Sequence, residues 1–193
     1  YDGDIVAESK QILGELGAPL HYVPGNHDIL EDRLASTSRQ YLEEYGRFCY
    51  TREYGGVVFL FIYTEPLAEE FVVEDYEPLE ALARKLAGAN GKPVILFHHT
   101  PSVDDFYNNE MHLGWRREIR ERWVDLLNRH KVKAVVAGHF HRDELDWLGE
   151  VPLYVSSSVA GFWGRQASFR IYEYRDGKLS YRTQYLLPAQ KKR

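Results

Sequence analysis

The sequence predicts an α/β domain spanning residues 1–193. Two observations carry this. Through the middle of the chain, segments with apolar residues at helical spacing alternate with short apolar runs bounded by glycine and proline. Beyond Pro152 the helical spacing stops and strand-like runs follow one another. A third observation sets the domain count: the chain has no internal repeat, no low-complexity tract and no linker long enough to divide it.

The elements follow in order. Ile5, Ile12, Leu13 and Leu16 recur at helical spacing, and Gly17 stops this first helix. "APLHYVPG" reads as a short buried strand ended by Pro24-Gly25, and "LASTSRQYLEEYG" as a helix closed by Gly46. "RFCYTREYGGVVFLFIYTE" is a hairpin whose second arm, Val57 to Tyr63, is apolar on both faces and therefore interior to a sheet. Leu79, Leu82, Ala83 and Leu86 mark a helix, "KPVILFHHTP" a buried strand, and Trp115, Ile119, Trp123, Leu126 and Leu127 another helix. "KVKAVVAGHFH" is a strand running into a polar loop. The last strands are "PLYVSSS", "SFRIYEY" and "KLSYRTQY", and Asp176-Gly177 is a two-residue hairpin turn between the final pair.

Composition bounds what the domain can be. A chain of 193 residues buries about 70% of the surface its unfolded form exposes, so it needs no staples. The formal charge is −5 with Lys and Arg scattered, which argues against a nucleic-acid or membrane-surface footprint. Cys49 is the only cysteine, which excludes an internal disulfide framework and a thiolate metal cluster. The longest apolar runs fall far short of the roughly 18 residues that a membrane span needs.

Reactive side chains collect where strands end. One strand delivers Gly25-Asn26-His27-Asp28, another His98-His99-Thr100-Pro101, and a third Gly138-His139-Phe140-His141. Ligands of open α/β sheets bind beyond the carboxyl ends of the strands, so the three tips are expected to converge. Imidazole nitrogens with amide or carboxylate oxygens suit Zn, Mn or Fe, and His139 and His141 at i, i+2 could reach two neighbouring ions. Any one tip has a plainer explanation. Gly, Asn and Asp are turn formers, and a single histidine at a strand end is ordinarily a hydrogen-bonded surface or core residue, which is how we read His21, His112 and His130. All three tips together, each after a buried strand, are not explained that way.

"GNHD", "FHHTP" and "GHFH" resemble the third, fourth and fifth motifs of the calcineurin-like metallophosphoesterase superfamily, whose pattern is Asp-x-His, Gly-Asp-x-x-Asp/Asn, Gly-Asn-His-Asp/Glu, His and Gly-His-x-His. "AVVAGHFHRDE" followed by "YVSSSVAG" and "GR" is similar to the single-domain phosphatase branch. The resemblance implies a four-layer sandwich of two facing mixed β-sheets flanked by helices, with two divalent metal ions (Mn, Fe or Zn) at the strand ends. It implies that Asn26, His139 and a histidine of the fourth motif hold the second metal and that His141 holds the first. The family's His-x-Pro spacing selects His99, with His98 the alternative. His27 is implied as general acid, with Asp28 fixing its tautomer. The implied reaction is hydrolysis of a phosphomonoester or phosphodiester by a hydroxide bridging the metals, on a small-molecule or phosphoprotein substrate. Arg165 in "GFWGRQ" is a candidate phosphate ligand through its guanidinium fork, with Phe162 or Trp163 as a pocket wall. The loop "SVDDFYNNEMHLGW" is a second candidate for shaping the pocket.

The first two motifs are absent. No Asp-x-His occurs, and in "YDGDIVA" Ala7 stands where the family has Asp or Asn. Asp4 is either the bridging ligand or an acidic residue of the first helical turn. The chain opens at Tyr1 and its one Met is Met111, so the N-terminal strands with those motifs are expected upstream of Tyr1. Residues 1–193 alone would then hold metal weakly or be inert. Two functions follow: a binuclear metal-dependent phosphoesterase, or a catalytically incompetent relative serving as a binding or structural module. A nuclease fits less well, since no basic groove interleaved with aromatics is present.

Overall fold

The computed structural model describes residues 3–104 and 114–187. Six strands form one sheet: β1 Cys49–Tyr54, β2 Val57–Ile62, β3 Val94–Phe97, β4 Ala134–Ala137, β5 Glu144–Leu148 and β6 Val151–Val155, in the order β1-β2-β3-β4-β6-β5. Strands β2, β3, β4 and β6 are mutually parallel, and the edge strands β1 and β5 are antiparallel to their neighbours. A second sheet is the antiparallel hairpin of β7 Ser168–Arg175 and β8 Lys178–Tyr185. Five α-helices and a 3-10 turn at Glu31–Arg33 complete the described residues: α1 Gly3–Gly14, α2 Leu34–Glu44, the single turn α3 Glu65–Ala68, α4 Pro78–Gly88 and α5 Arg117–Arg129.

The pleat of the large sheet sorts its side chains into two cores. Val58, Leu60, Ile62, Val94, Leu96, Val135 and Leu153 face Leu79, Leu82 and Leu86 of α4 and Trp123 and Leu127 of α5. Val57, Phe59, Ile95, Phe97, Ala134 and Val136 point the other way and meet Tyr172, Tyr174 and Leu179 of the second sheet. This alternation explains why β2 and β3 read as unbroken apolar runs, since both faces are covered. Full burial of one such aliphatic side chain contributes about 1.5–3 kcal/mol. Two facing sheets with helices against the large one are the arrangement the sequence predicted. The second sheet, as described, is antiparallel rather than mixed.

Turn chemistry follows the sequence. Gly55 and Gly56 take φ of 57° and 77°, and Asp176 and Gly177 take 51° and 78°, the left-handed pairs that tight two-residue hairpins require. Pro78 starts α4, and the Glu77 carboxylate caps it by accepting from the Glu80 N–H at 2.6 Å.

Two elements differ from expectation. "APLHYVPG" joins no ladder. No strand lies beside it among the described residues, so its main chain turns to hydroxyls: the Tyr22 N–H donates to Tyr50 Oη, and that hydroxyl donates back to the Tyr22 carbonyl, both at 2.9 Å. The His21 ring sits 4.9 Å from that of Phe61, so the segment crosses the same sheet face that the hairpin sheet covers further along. Strand β5 was not expected. It is an edge strand whose Leu145 and Trp147 point to solvent, so it lacks the inward alternation by which strands are recognised. Asn128 of α5 secures its turn, donating to the Leu148 carbonyl and accepting from the Glu150 N–H, both at 2.8 Å. Of the loop Ser102 to Trp115, residues 105–113 lie outside the described residues and include His112.

Candidate functional site

The parallel strands β2, β3 and β4 all point their carboxyl ends to one side of the sheet, and the expected residues leave from there. Strand alternation separates His98 from His99. His98 turns into the helix-side core, 4% exposed, with Nδ1 3.1 Å from Thr64 Oγ1 and its ring against Trp115 and Trp123. His99 turns to the opposite face. Its Nε2 lies 3.2 Å from Asn26 Oδ1 and 3.3 Å from His139 Nδ1. The structure therefore selects His99, not His98, as the residue that joins the other tips.

The Gly25–Asp28 tip is a closed turn. The Asp28 N–H donates to the Gly25 carbonyl at 3.0 Å, and the Gly25 N–H donates to Asp28 Oδ2 at 2.8 Å. Ile29 anchors it in a small core with Tyr41, Phe48, Tyr63 and Val73. The glycine has a second reason: a Cβ at position 25 would lie 2.8 Å from Cδ2 and Nε2 of His99, so the imidazole rests directly on the Gly25 main chain. The expected pairing of Asp28 with the His27 imidazole is not seen. The Asp28 carboxylate serves the main-chain turn, and the His27 side chain is exposed.

At the third tip His139 and His141 both have left-handed backbones, φ 65° and 51°, while Phe140 between them is buried. Bulky residues occupy that region at a cost, and such strain concentrates at functional sites. Neighbouring groups hold the tip in place: Arg165 Nη1 donates to the carbonyls of Phe140 at 2.9 Å and His141 at 3.3 Å, and Ser157 Oγ donates to that of His141 at 3.1 Å. The His141 ring lies 4.6 Å from Phe162 and 5.0 Å from Trp163, and its Nδ1 is buried without a hydrogen-bond partner. The "GFWGRQ" loop thus folds against the tip, as expected. One Arg165 nitrogen is committed to the main-chain carbonyls of Phe140 and His141, a task the sequence did not suggest.

Burial and neighbouring charge favour the neutral form of two of these imidazoles. Burial, then the neighbouring His139, His27 and His141, push His99 down to about 3. Burial, then Arg165 and His27, lower His141. Neutral imidazoles are the form that binds metals.

The residues present fit a divalent cation in part. Asn26 Oδ1, His99 Nε2 and His139 Nδ1 bring three lone-pair donors to one place, and the orphaned His141 Nδ1 is a further donor nearby. Among the described residues no group of three His, Cys, Asp or Glu side chains closes on a common point, so the carboxylate expected between two ions is not supplied here. Asp4 falls in the first turn of α1. His21 bonds Tyr54 Oη, and His130 ends α5, both outside the cluster.

One residue escaped the sequence reading. Glu65, at the carboxyl end of β2, is completely buried, and burial pushes its carboxyl up to about 7 against the opposing pull of its Thr100 hydrogen bonds. The signal available was an acidic residue shortly after an unbroken apolar strand: Glu65 opens α3 just past the end of β2, beyond the same strand ends from which the histidines leave β3 and β4.

Comparison with known proteins identifies the family and the fold. The family model of calcineurin-like phosphoesterases matches residues 2–143. A serine/threonine-protein phosphatase of Danio rerio, CPPED1, is 28% identical over 153 residues, covering 73% of this chain and 48% of its own length. The human protein of that name is 24% identical over 159 residues, covering 76% and 49%. A probable cyclic nucleotide phosphodiesterase of Psychrobacter is 25% identical, covering 81% and 50%. The chain thus spans about half the length of these relatives. Among solved structures, a dimetal phosphatase from Danio rerio superposes with a TM-score of 0.62 at 16% identity, covering 89% of this chain and 71% of that one. A purple acid phosphatase from yellow lupin gives 0.58 at 16% identity, covering 83% and 37%. Both likenesses concern the fold.

Proposed function

The chain belongs to the calcineurin-like phosphoesterase family, and on that premise we propose that it forms the metal-binding face of a phosphoester hydrolase. One observation carries the proposal: three segments distant in sequence meet, with Asn26 Oδ1 3.2 Å and His139 Nδ1 3.3 Å from His99 Nε2. These three would hold one divalent ion, and His141 a second, with Mn, Fe or Zn all compatible with the donors. Such an ion would supply a Lewis acid for the phosphoryl oxygens and lower the pKa of a bound water to about 7.

The chain's own residues would do the rest. His27, exposed on its turn, would pass a proton to the departing oxygen, and Asp28 would hold the turn that presents it. Arg165, with Nη1 anchored, has Nε and Nη2 for a phosphoryl oxygen, and Phe162 and the 73% exposed Trp163 would wall the pocket. The substrate is a small-molecule or phosphoprotein phosphoester.

A second reading has one observation in its favour. Without a carboxylate in the cluster, the domain would be a catalytically incompetent binding module. The full-length protein separates the two. Substituting Asn26, His99, His139 or His141 by Ala should lower metal content and hydrolysis of a chromogenic phosphoester together. His98→Ala should spare the metal. His27→Ala should keep the metal and reduce kcat by roughly 10²–10⁴-fold, less for good leaving groups. Metal content unchanged in all four ligand variants would overturn the proposal.

A further inference from the structure

Glu65 is the only buried carboxylate among the described residues, at 0% exposure. Burying a carboxyl is costly unless both oxygens find partners. Both do, and on a single residue: Oε1 accepts from the Thr100 N–H at 3.2 Å and Oε2 from the Thr100 hydroxyl at 2.6 Å. Thr100 directly follows His99. The peptide group joining them is therefore gripped from two sides, since its N–H is held by Glu65 and its carbonyl, that of His99, accepts from the Gly138 N–H at 2.9 Å. One side of the grip comes from the tip of β2 and the other from the tip of β4. Fixing that plane fixes the ψ of His99 and so the direction in which its side chain leaves the strand. The ring then lies against Gly25 with Nε2 towards Asn26 and His139.

The neighbouring residue is secured separately. The His98 N–H donates to the Val136 carbonyl at 3.1 Å, and its ring meets Thr64 Oγ1. The adjacent residues Thr64 and Glu65 thus address His98 and Thr100, the residues on either side of His99.

We propose that Glu65 is a positioning residue for His99, acting through Thr100 to aim the imidazole at the point it shares with Asn26 and His139. The inference rests on the reading of His99 as a metal ligand only for its functional consequence. The geometric part stands on the metal-free protein.

The test uses the full-length protein with two readouts: the ring ¹⁵N and ¹H resonances of His99 after chelator treatment, and the affinity for Zn²⁺ by calorimetric titration. Glu65→Ala should shift the His99 ring signals and weaken Zn²⁺ binding by about 10–100-fold, the usual range when the support of a metal ligand is removed. Glu65→Gln can keep an acceptor on the Thr100 N–H and a partner for its hydroxyl, so it should restore most of both. Leu82→Ala, in the helix-side core away from the tips, controls for general destabilisation and should move neither. Thr100→Val removes only the hydroxyl contact and should change both readouts in the same direction by less. It carries the test if Glu65→Ala does not fold. Wild-type His99 signals and affinity in Glu65→Ala, or equal losses in Leu82→Ala, would overturn the proposal. A wild-type protein that takes up no Zn²⁺ would instead count against His99 as a ligand, while the ring signals still decide whether Glu65 positions it.

Discussion

His98 and His99 show how much one step along a strand changes. Burial first, then the neighbouring His99, lowers His98 to about 3, and its Nδ1 lies against Thr64 Oγ1. The unfolded chain takes up a proton at this residue below about 6.5 while the fold does not until about 3. Its contribution is therefore complete above 6.5 and is lost as the pH falls, by at most about 1.4 kcal/mol per pH unit. Glu65 has the opposite sign. Its carboxyl is raised from 4.5 to about 7, so the stability it contributes is present below 4.5 and lost as the pH rises through 7. Urea unfolding of chelator-treated protein between pH 6 and 5 should accordingly lose stability less steeply with acid in His98→Asn than in wild type. Equal slopes would refute the neutral buried imidazole. Gly25 yields a second prediction at this scale. In Gly25→Ala the new methyl meets the His99 ring at 2.8 Å, which should cost about 1–3 kcal/mol by thermal unfolding and weaken metal binding together. Unaltered metal affinity would mean that the ring has room to move.

At the scale of elements, the turn after β4 is tied to both sheets by one carboxylate. Asp143 accepts from the Ser157 N–H at 3.0 Å and the Thr183 hydroxyl at 2.8 Å, and faces Arg170 at 3.4 Å. The Arg170 side chain is only 2% exposed, so Asp143→Ala would strand a buried guanidinium. A loss of about 3–5 kcal/mol is expected from denaturant unfolding, and a loss below 1 kcal/mol would show that solvent reaches the arginine. Legibility in the sequence divides at this scale. Strands covered on both faces, such as β2 and β3, announce themselves as apolar runs, and the paired left-handed turns by their glycines. β5 did not, because an edge strand needs only one ladder and its apolar side chains face water. The reverse error befell "APLHYVPG", which has the composition of a strand but no neighbour among the described residues to pair with. The histidine tips were legible because motif spacing survives without knowledge of packing. Glu65 and the duties of Asp28 and Arg165 were not, because each depends on main-chain groups brought close only by the fold.

For the whole molecule, the parallel order of β2, β3, β4 and β6 is what turns separate motifs into one site. Every crossover returns the chain to the same starting edge, so every strand ends on the same side. The second sheet backs this arrangement through Tyr172, Tyr174 and Leu179, and its Tyr172 Oη meets Ser156 Oγ at 3.0 Å just beyond β6. If the Arg165 loop closes over the site, Arg165→Lys should weaken inhibition by inorganic phosphate as well as kcat/KM, since a point charge cannot replace a fork. Unchanged inhibition would leave Arg165 as a clamp on the His139–His141 turn alone.

In the proposed function Asn26, His99 and His139 form one cation site used for phosphoester hydrolysis. The most direct measurement is the Mn²⁺-dependent hydrolysis of p-nitrophenyl phosphate by the chelator-treated full-length protein, with Mn²⁺ uptake followed in the same samples, for wild type and His99→Ala. Wild type should regain activity in proportion to the Mn²⁺ it takes up, and His99→Ala should regain neither. Hydrolysis restored in His99→Ala to the wild-type level at the same Mn²⁺ concentration would contradict it.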